Sequence, residues 1–593
     1  MRGSHLAALI CFLLVPRAGA AQVIDSLPGI DPARTADSAE AYRRMQAEAN
    51  VVVPVMPRLS PDGPLPPLSR VIFPRDTIDA SGALTVGDLL ARVPGAFLWR
   101  GGGVGRPEPV NFRGRGAASA EYYLDGMPYL PAGPDSLSVD PALLPLALLD
   151  RIEVERWPGL LRVLLFTRRH DRLAAASHVV LASGPKKEAT YQATLERRFV
   201  SGFGFGAGAQ YLKTPVPAGG TGEYKNTQYW AQVSYVPHAG FGAEVQYLGI
   251  SADRDAFSDL GGIPGERYEG GRGDLQARVF MGGGADGMGP RLDLSYMRTA
   301  FDSAGILQRI GQLGGTGSVR GENWAARASA RYATRWTPLD LNVSASWTPT
   351  SLATLGAEGV YRAHDGDRSS RWIGARAGVA LPGGLVAAGA LRTGERVAVP
   401  ALDADVAQDL SELEGSVGWQ LPWIGVEASY ARTGAFVPVA YQAFPSIAAI
   451  GPSARTEWVT LSGRLAPLDW ISVQGSYSNP TGTAPEGLPP GHYHLTGTIR
   501  SKFLRTFRSG SFDLKLELGL EGWKSGVIGR DAGGAAVVLP AARFVRSLVR
   551  LEIQEFSIFW ESRNLGNTQT GYVPGFRIPR YSGIFGIRWS FVN

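Results

Sequence analysis

The sequence predicts a membrane all-β protein: a large antiparallel transmembrane β-barrel of about twenty strands behind a small α+β domain. Three observations predict it. Most of the chain alternates apolar and polar residues with a period of two, as in FDLKLELGLEGW. There Phe512, Leu514, Leu516, Leu518 and Leu520 share one parity, and Asp513, Lys515, Glu517 and Glu521 the other. The connections between such segments alternate between short and long, as in outer-membrane barrels. Finally, the 593 residues include 76 glycines, and nothing beyond the N-terminus approaches the roughly 20 apolar residues of a membrane helix.

The N-terminus, MRGSHLAALICFLLVPRAGAAQ, joins a basic start at Arg2 to an apolar run and a small-residue site at Ala18-Gly19-Ala20. That is a secretory signal peptide, placed at residues 1–21. The only cysteine, Cys11, lies inside it, so the mature chain is expected to hold no disulfide and no cysteine metal site. Residues 22–69, with LPGIDPART and VPVMPRLSPDGPLPPLS, read as a flexible proline-rich leader with one short helix around Ala39 to Ala49.

Residues 70–172 change to a compact α+β texture. Val71-Ile72-Phe73 is a short strand. Thr85 opens a helix with Asp88 as capping-box partner, and Pro94-Gly95 stops it. AFLW and PVNFRG are short strands, and EYYLDGMPY is a hairpin whose Asp125-Gly126 supplies the positive φ angles of a tight turn. PALLPLALL is expected as a helix, followed by the strands RIEVERW and LRVLLFTR.

Residues 173–593 carry the alternation. Tyr229, Ala231, Val233 and Tyr235 share a parity, as do Trp324, Ala326, Ala328, Ala330 and Tyr332, and Ile424, Val426, Ala428 and Tyr430. Short connections such as PHAG (237–240), TPLD (337–340), LPW (421–423) and PLDW (467–470) are assigned to one rim, and long polar ones to the other. Trp336, Trp419, Trp423 and Trp470 beside the short turns suit an interfacial girdle. A soluble sandwich would have to pair these oily faces and hide many strand edges. Closure in lipid removes the edges and satisfies the backbone, so the oily face is expected to meet lipid. The net charge of +6 is spread along the chain without a basic block, which argues against a nucleic-acid partner.

LTVGDLLARVPGAFL, VNFRGRG, YYLDGMPY and LDRIEVERWPG, in that order, resemble the plug domain of TonB-dependent outer-membrane receptors, and the closing segment SRNLGNTQTGYVPGFRIPRYSGIFGIRWSF resembles their last two strands. The resemblance implies a 22-stranded barrel in the cell outer membrane, compatible with the count of about twenty segments (20–22 strands), occluded by its own N-terminal plug. It further implies import of a scarce small-molecule or glycan ligand, driven by the TonB–ExbB–ExbD complex. Three departures stand out. LLRVLLFTRR follows Trp157-Pro158-Gly159 directly, where the family has further glycines. No clear TonB box occurs in residues 22–70, the nearest candidates being VIDSL (23–27) and DTI (76–78). The chain ends on Val592-Asn593 rather than an aromatic residue. A non-transporting binding or scaffold barrel and a passive porin-like channel are therefore the alternatives.

Arg113 and Arg115 alternate in NFRGRG and are expected on one strand face, with Arg113 anchoring the plug to carboxylates of the wall. Glu153 is expected to pair within the plug or with the wall. Pro94, Gly95, Gly114, Asp125 and Gly126 are read as structural elements of the plug. Arg100, His492 and His494 are the candidate ligand contacts, the two histidines sharing a strand face. GFGFGAG (202–208) is one bare strand face rather than a nucleotide loop. The Gly run at 101–103 with Gly105 reads as a plug loop. No nucleophile elbow, HExxH or phosphate loop occurs, so neither an enzyme nor a cofactor is expected.

Overall fold

The computed structural model describes residues 51–592 apart from 60–62, 103–106, 133–136, 186, 216–221, 256, 259–263, 266, 285–286, 304–305, 445, 505, 508, 577 and 579–580. Val52–Asn593 form one compact unit. The signal peptide, the helix at 39–49, VIDSL and the glycines at 103 and 105 lie outside the described residues.

Twenty-two antiparallel strands close into a barrel, the last, Ser582–Val592, pairing with the first, Ala176–Ser183. The alternation decides which way the sheet faces. In strand Phe512–Trp523, Leu518 is 58% exposed on the outside while Glu517 is 6% exposed inside. Charge inward and oil outward is the inverse of a water-soluble sheet and fits a sheet solvated by hydrocarbon. On strand Trp324–Ala333, the exposed Trp324 and Tyr332 stand eight residues apart. At about 3.3 Å per residue and a tilt of about 40°, that gives an apolar band of about 20 Å, near the thickness such barrels present to lipid.

An even strand number puts Ala176 and Val592 on the same rim. That rim carries the brief connections 239–240, 351–352, 421–423 and 469–470, and the opposite rim carries 398–406, 434–455, 524–541 and 564–581. One expected placement is corrected. TPLD and Trp336 lie on the long-loop rim, not beside the other short turns, because strand Trp324–Ala333 rises from the short-turn rim and the chain reverses after it. Rim assignment depends on the parity of the strand count, and a count of about twenty that misses single strands loses it.

Inside the barrel sits a small domain. Its strands are β1 (Arg70–Pro74), β2 (Ala96–Leu98), β3 (Val110–Phe112), β4 (Ala120–Leu124), β5 (Met127–Pro128), β6 (Leu149–Trp157) and β7 (Leu160–Thr167); its helices are α1 (Arg75–Ala80) and α2 (Val86–Leu90). The main sheet runs β1-β6-β7-β4-β5, parallel only between β4 and β7, with β2–β3 as a separate ribbon. Val86, Leu89, Ile152, Val154 and Leu161 are fully buried between the helices and this sheet. Thr85 and Asp88 form the expected capping box on α2. Asp125 and Gly126 take φ of +45° and +88°, the left-handed pair of a tight β4–β5 turn.

One local expectation fails here. PALLPLALL forms only a 3₁₀ turn at Leu146–Leu148, because Pro145 lacks a donor and disfavours helix in the residue before it. DTI lies within α1, a helix the sequence reading did not anticipate. The shortened stretch after Trp157 is a two-residue turn, Pro158-Gly159, linking β6 and β7 as an antiparallel hairpin.

Candidate functional site

The boundary between the inner domain and the wall is where chemistry concentrates. Wall strand Ala407–Gln420 alternates Leu413 and Val417 outward with Glu412 and Glu414 inward. Arg113 grips Glu414 with both terminal nitrogens, at 3.0 and 2.8 Å, and also donates to the carbonyl of Pro158 at 2.5 Å. The Arg113 side chain is 1% exposed, so this is a desolvated bidentate pair. Arg115 reaches Glu412 at 2.6 Å. The two arginines arrive differently from the expectation that they share a strand face. Strand β3 ends at Phe112, and Arg113, Gly114 and Gly116 take φ of +52°, +76° and +63°, so a turn delivers them.

Further ion pairs surround this one. Arg156 bridges Glu414 at 3.3 Å and Glu427 at 2.7 Å. Arg162 meets Glu358 at 3.2 Å, and Glu121 receives Arg362 and Arg396, each at 2.9 Å. Asp125, read from sequence only as a turn residue, accepts from Thr167 Oγ1 at 2.7 Å, Arg169 at 3.0 Å and wall residue Gln246 at 2.8 Å. Glu153 pairs with Arg70 and, at 2.5 Å, with Arg151, both in the inner domain. Between this belt and strands Trp324–Ala333 to Arg368–Ala380 runs a crevice of about 110 Å³, lined by charged residues such as Glu155, Arg162 and Arg376 and by apolar ones such as Trp157, Leu164 and Leu59. The guanidinium of Arg376 lies 3.5 Å from the Trp157 ring centre.

The long-loop end is built of different material. Loops 434–455, 481–491 and 564–581 fold down onto β2 and β3. Trp99, fully buried, donates from Nε1 to the carbonyl of Gly487 at 2.9 Å and packs its ring 4.9 Å from Tyr441 and 6.0 Å from Phe444. Ala117 donates its backbone N–H to the carbonyl of Val439 at 2.9 Å, and the Tyr441 hydroxyl lies 2.9 Å from the carbonyl of Gly116. Phe97 packs 5.3 Å from Trp523 and 6.0 Å from Tyr572.

The three candidate ligand contacts fall within this packing. Arg100 is bound by Asp88 at 2.9 Å and Glu108 at 3.6 Å, beneath Tyr572. His492 is buried, its ring 6.2 Å from Phe97 and 6.3 Å from Trp458, with Nδ1 3.3 Å from the carbonyl of Pro489. His494 faces the same way two residues on, paired in register with Glu521. Among the described residues, no group of three His, Cys, Asp or Glu side chains is gathered as for a metal ion. α2 ends at Leu90, earlier than the stop expected at Pro94-Gly95, and tight turns carry the chain on to Val93; a Cβ on Gly95 (φ +85°) would stand 3.1 Å from the Phe112 ring.

Sequence reasoning missed Arg156, Arg162, Glu121, Glu358, Glu414 and Glu427. One signal was available: Glu412 and Glu414 at i and i+2 on the polar parity of an alternating strand mark two lumen carboxylates in need of cations.

A closed barrel with a lipid-facing belt, occluded by a domain ion-paired to its wall, is a plugged outer-membrane barrel. Residues 66–161 match the family model described as TonB-dependent Receptor Plug Domain. Among solved structures, the chain is similar to a mutant ferric enterobactin receptor (PfeA) from Pseudomonas aeruginosa, at 12% identity over 89% of this chain and 98% of that one, with a TM-score of 0.68. It is similar to the siderophore receptor PirA from Acinetobacter baumannii at 10% identity, over 88% and 98% of the two chains, TM-score 0.67. It is also similar to the FrpB iron transporter from Neisseria meningitidis at 11% identity, over 88% and 99%, TM-score 0.67. The comparison with curated proteins found no match. In architecture, plug and barrel together, the chain has the fold of the TonB-dependent receptors.

Proposed function

We propose that this protein is an energised receptor that binds a scarce extracellular ligand and passes it to the periplasm when its plug is rearranged. The observation that carries the reading is the polar seal between plug and wall. Arg113–Glu414, Arg156–Glu427, Arg162–Glu358 and Arg362–Glu121 cross that boundary. An interface of paired charges can be rehydrated as it slides, whereas an oily one must be torn open. In this reading residues 70–172 are the plug, 173–593 the barrel, and 22–69 the periplasmic handle on which TonB, energised by ExbB–ExbD, pulls. Arg113 anchors the plug to the wall, and Glu153 fixes Arg70 at the plug's first strand.

The solved proteins of this fold include receptors for ferric enterobactin and for siderophores. A small metal chelate is therefore the ligand class carried over, with a glycan as the competing class. The test is uptake of candidate chelates by wild-type and gene-deleted cells, with and without a proton uncoupler. Loss of uptake on deletion and on uncoupling is expected. Uptake that neither treatment changes, for every ligand tried, contradicts energised import. The apolar packing of loops 434–455 and 564–581 on the plug favours one rival, a non-transporting binding or scaffold barrel. Crosslinking of residues 22–69 to TonB would eliminate that rival.

A further inference from the structure

The short-turn rim has one exception to its brevity. Its connections are as brief as 239–240, and all but one are no longer than 283–288; between strands His492–Ser501 and Phe512–Trp523 the chain instead runs from Lys502 to Ser511. The segment reads KFLRTFRSGS, and no carboxylate occurs between Arg500 and Asp513. A connection facing water is expected to be polar. Here Phe503, Leu504 and Phe507 are 44%, 58% and 42% exposed.

These side chains are held in place. The Phe507 N–H donates to the carbonyl of Phe503 at 2.9 Å, and both rings reach Phe512, so Phe503 and Phe507 lie on the same side. Phe503 takes φ +46°, a left-handed backbone that aromatic residues seldom adopt, and its N–H donates to Ser501 Oγ at 3.2 Å. Phe507 stacks on Phe512 with ring centres 4.6 Å apart and planes 13° apart, and Phe503 meets the same ring edge-on at 5.5 Å. Phe512 shares the outward parity of Leu516 and Leu518. The oily side of the turn therefore continues the outer wall, next to the exposed Ile499 and Ile553, and not the lumen.

We infer that Phe503, Leu504 and Phe507 form a membrane anchor on the periplasmic leaflet. Phe503, Leu504 and Phe507 enter the acyl boundary below the barrel wall. The positive charge of the segment, from Lys502 with Arg505 and Arg508 in the sequence, selects anionic phospholipid headgroups. The inference rests on the membrane barrel and not on import.

The mature chain is expected to have no cysteine, so Thr506→Cys gives a unique labelling site, and Ala239→Cys in a short turn of the same rim a control. Each variant of the full mature protein is labelled with a lipid-sensitive fluorophore and reconstituted in phosphatidylcholine vesicles with or without phosphatidylglycerol, one lipid at a time being brominated. The label at 506 is expected to be quenched by brominated lipid, with brominated phosphatidylglycerol about twofold more effective than brominated phosphatidylcholine. Lys502→Gln, Arg505→Gln and Arg508→Gln together are expected to abolish that preference while leaving the quenching. A label at 506 that iodide quenches freely and brominated lipid does not overturns the anchor. So does protection that appears only when soluble periplasmic protein is added. Equal quenching by the two lipids overturns the anionic selectivity.

Discussion

At the residue scale, Glu414 holds the most exposed consequence of the structure. Two buried plug arginines, Arg113 and Arg156, converge on it. Glu414→Ala leaves both cations desolvated without that acceptor, a loss of about 3–5 kcal/mol for a broken buried pair. The expected result is a plug cut by protease at concentrations the wild type resists, in a barrel whose heat-modifiable migration is unchanged. An unaltered plug would show that the pair contributes little. Asp79 adds a pH dependence. Burial pushes its carboxyl up, but Arg75 and Arg588 outweigh this and hold it down to about 2, against an ordinary 3.8. A depressed carboxyl stabilises the folded state above its ordinary value and loses that contribution as pH falls toward the depressed one. The plug is therefore expected to lose of order 2 kcal/mol between about pH 4 and pH 2. Asp79→Asn should flatten the acid limb of plug unfolding, followed by limited proteolysis; an unchanged limb would rule Asp79 out as its source.

At the element scale, the loops are latched to the plug by Trp99. Trp99→Ala removes a fully buried indole that contacts Tyr441 and Phe444 and donates to Gly487. The cost is about 3–5 kcal/mol, borne by loops 434–455 and 481–491. Faster hydrogen exchange in those loops, with exchange in the barrel strands unaltered, is the expected outcome, and unchanged loops would contradict the latch. Much of the element list was legible beforehand. Alternation in Phe512–Trp523, the Thr85–Asp88 cap and the Asp125-Gly126 turn are local, and local chemistry decides them. The rest was not local. Arg113 and Glu414 are 301 residues apart, and no sequence window joins them. The lumen parity of Glu412 could have signalled a partner but not which arginine. The side of TPLD depended on counting every earlier strand, and PALLPLALL was read by composition where Pro145 decided the backbone.

At the scale of the molecule, lipid solvates one face of the sheet and the plug the other. A barrel of 22 strands encloses a lumen wide enough to conduct unless it is filled. Ion pairs bridge the filling to the wall, and apolar loops cover its outer end. A passive channel and a plugged receptor therefore differ in one quantity, the conductance of the intact protein. The direct measurement is the current through purified full-length protein in a planar bilayer, beside a variant lacking residues 70–167. The intact protein should be electrically silent and the plugless barrel should conduct steadily. Steady conductance by the intact protein, equal to that of the plugless variant, would contradict the account.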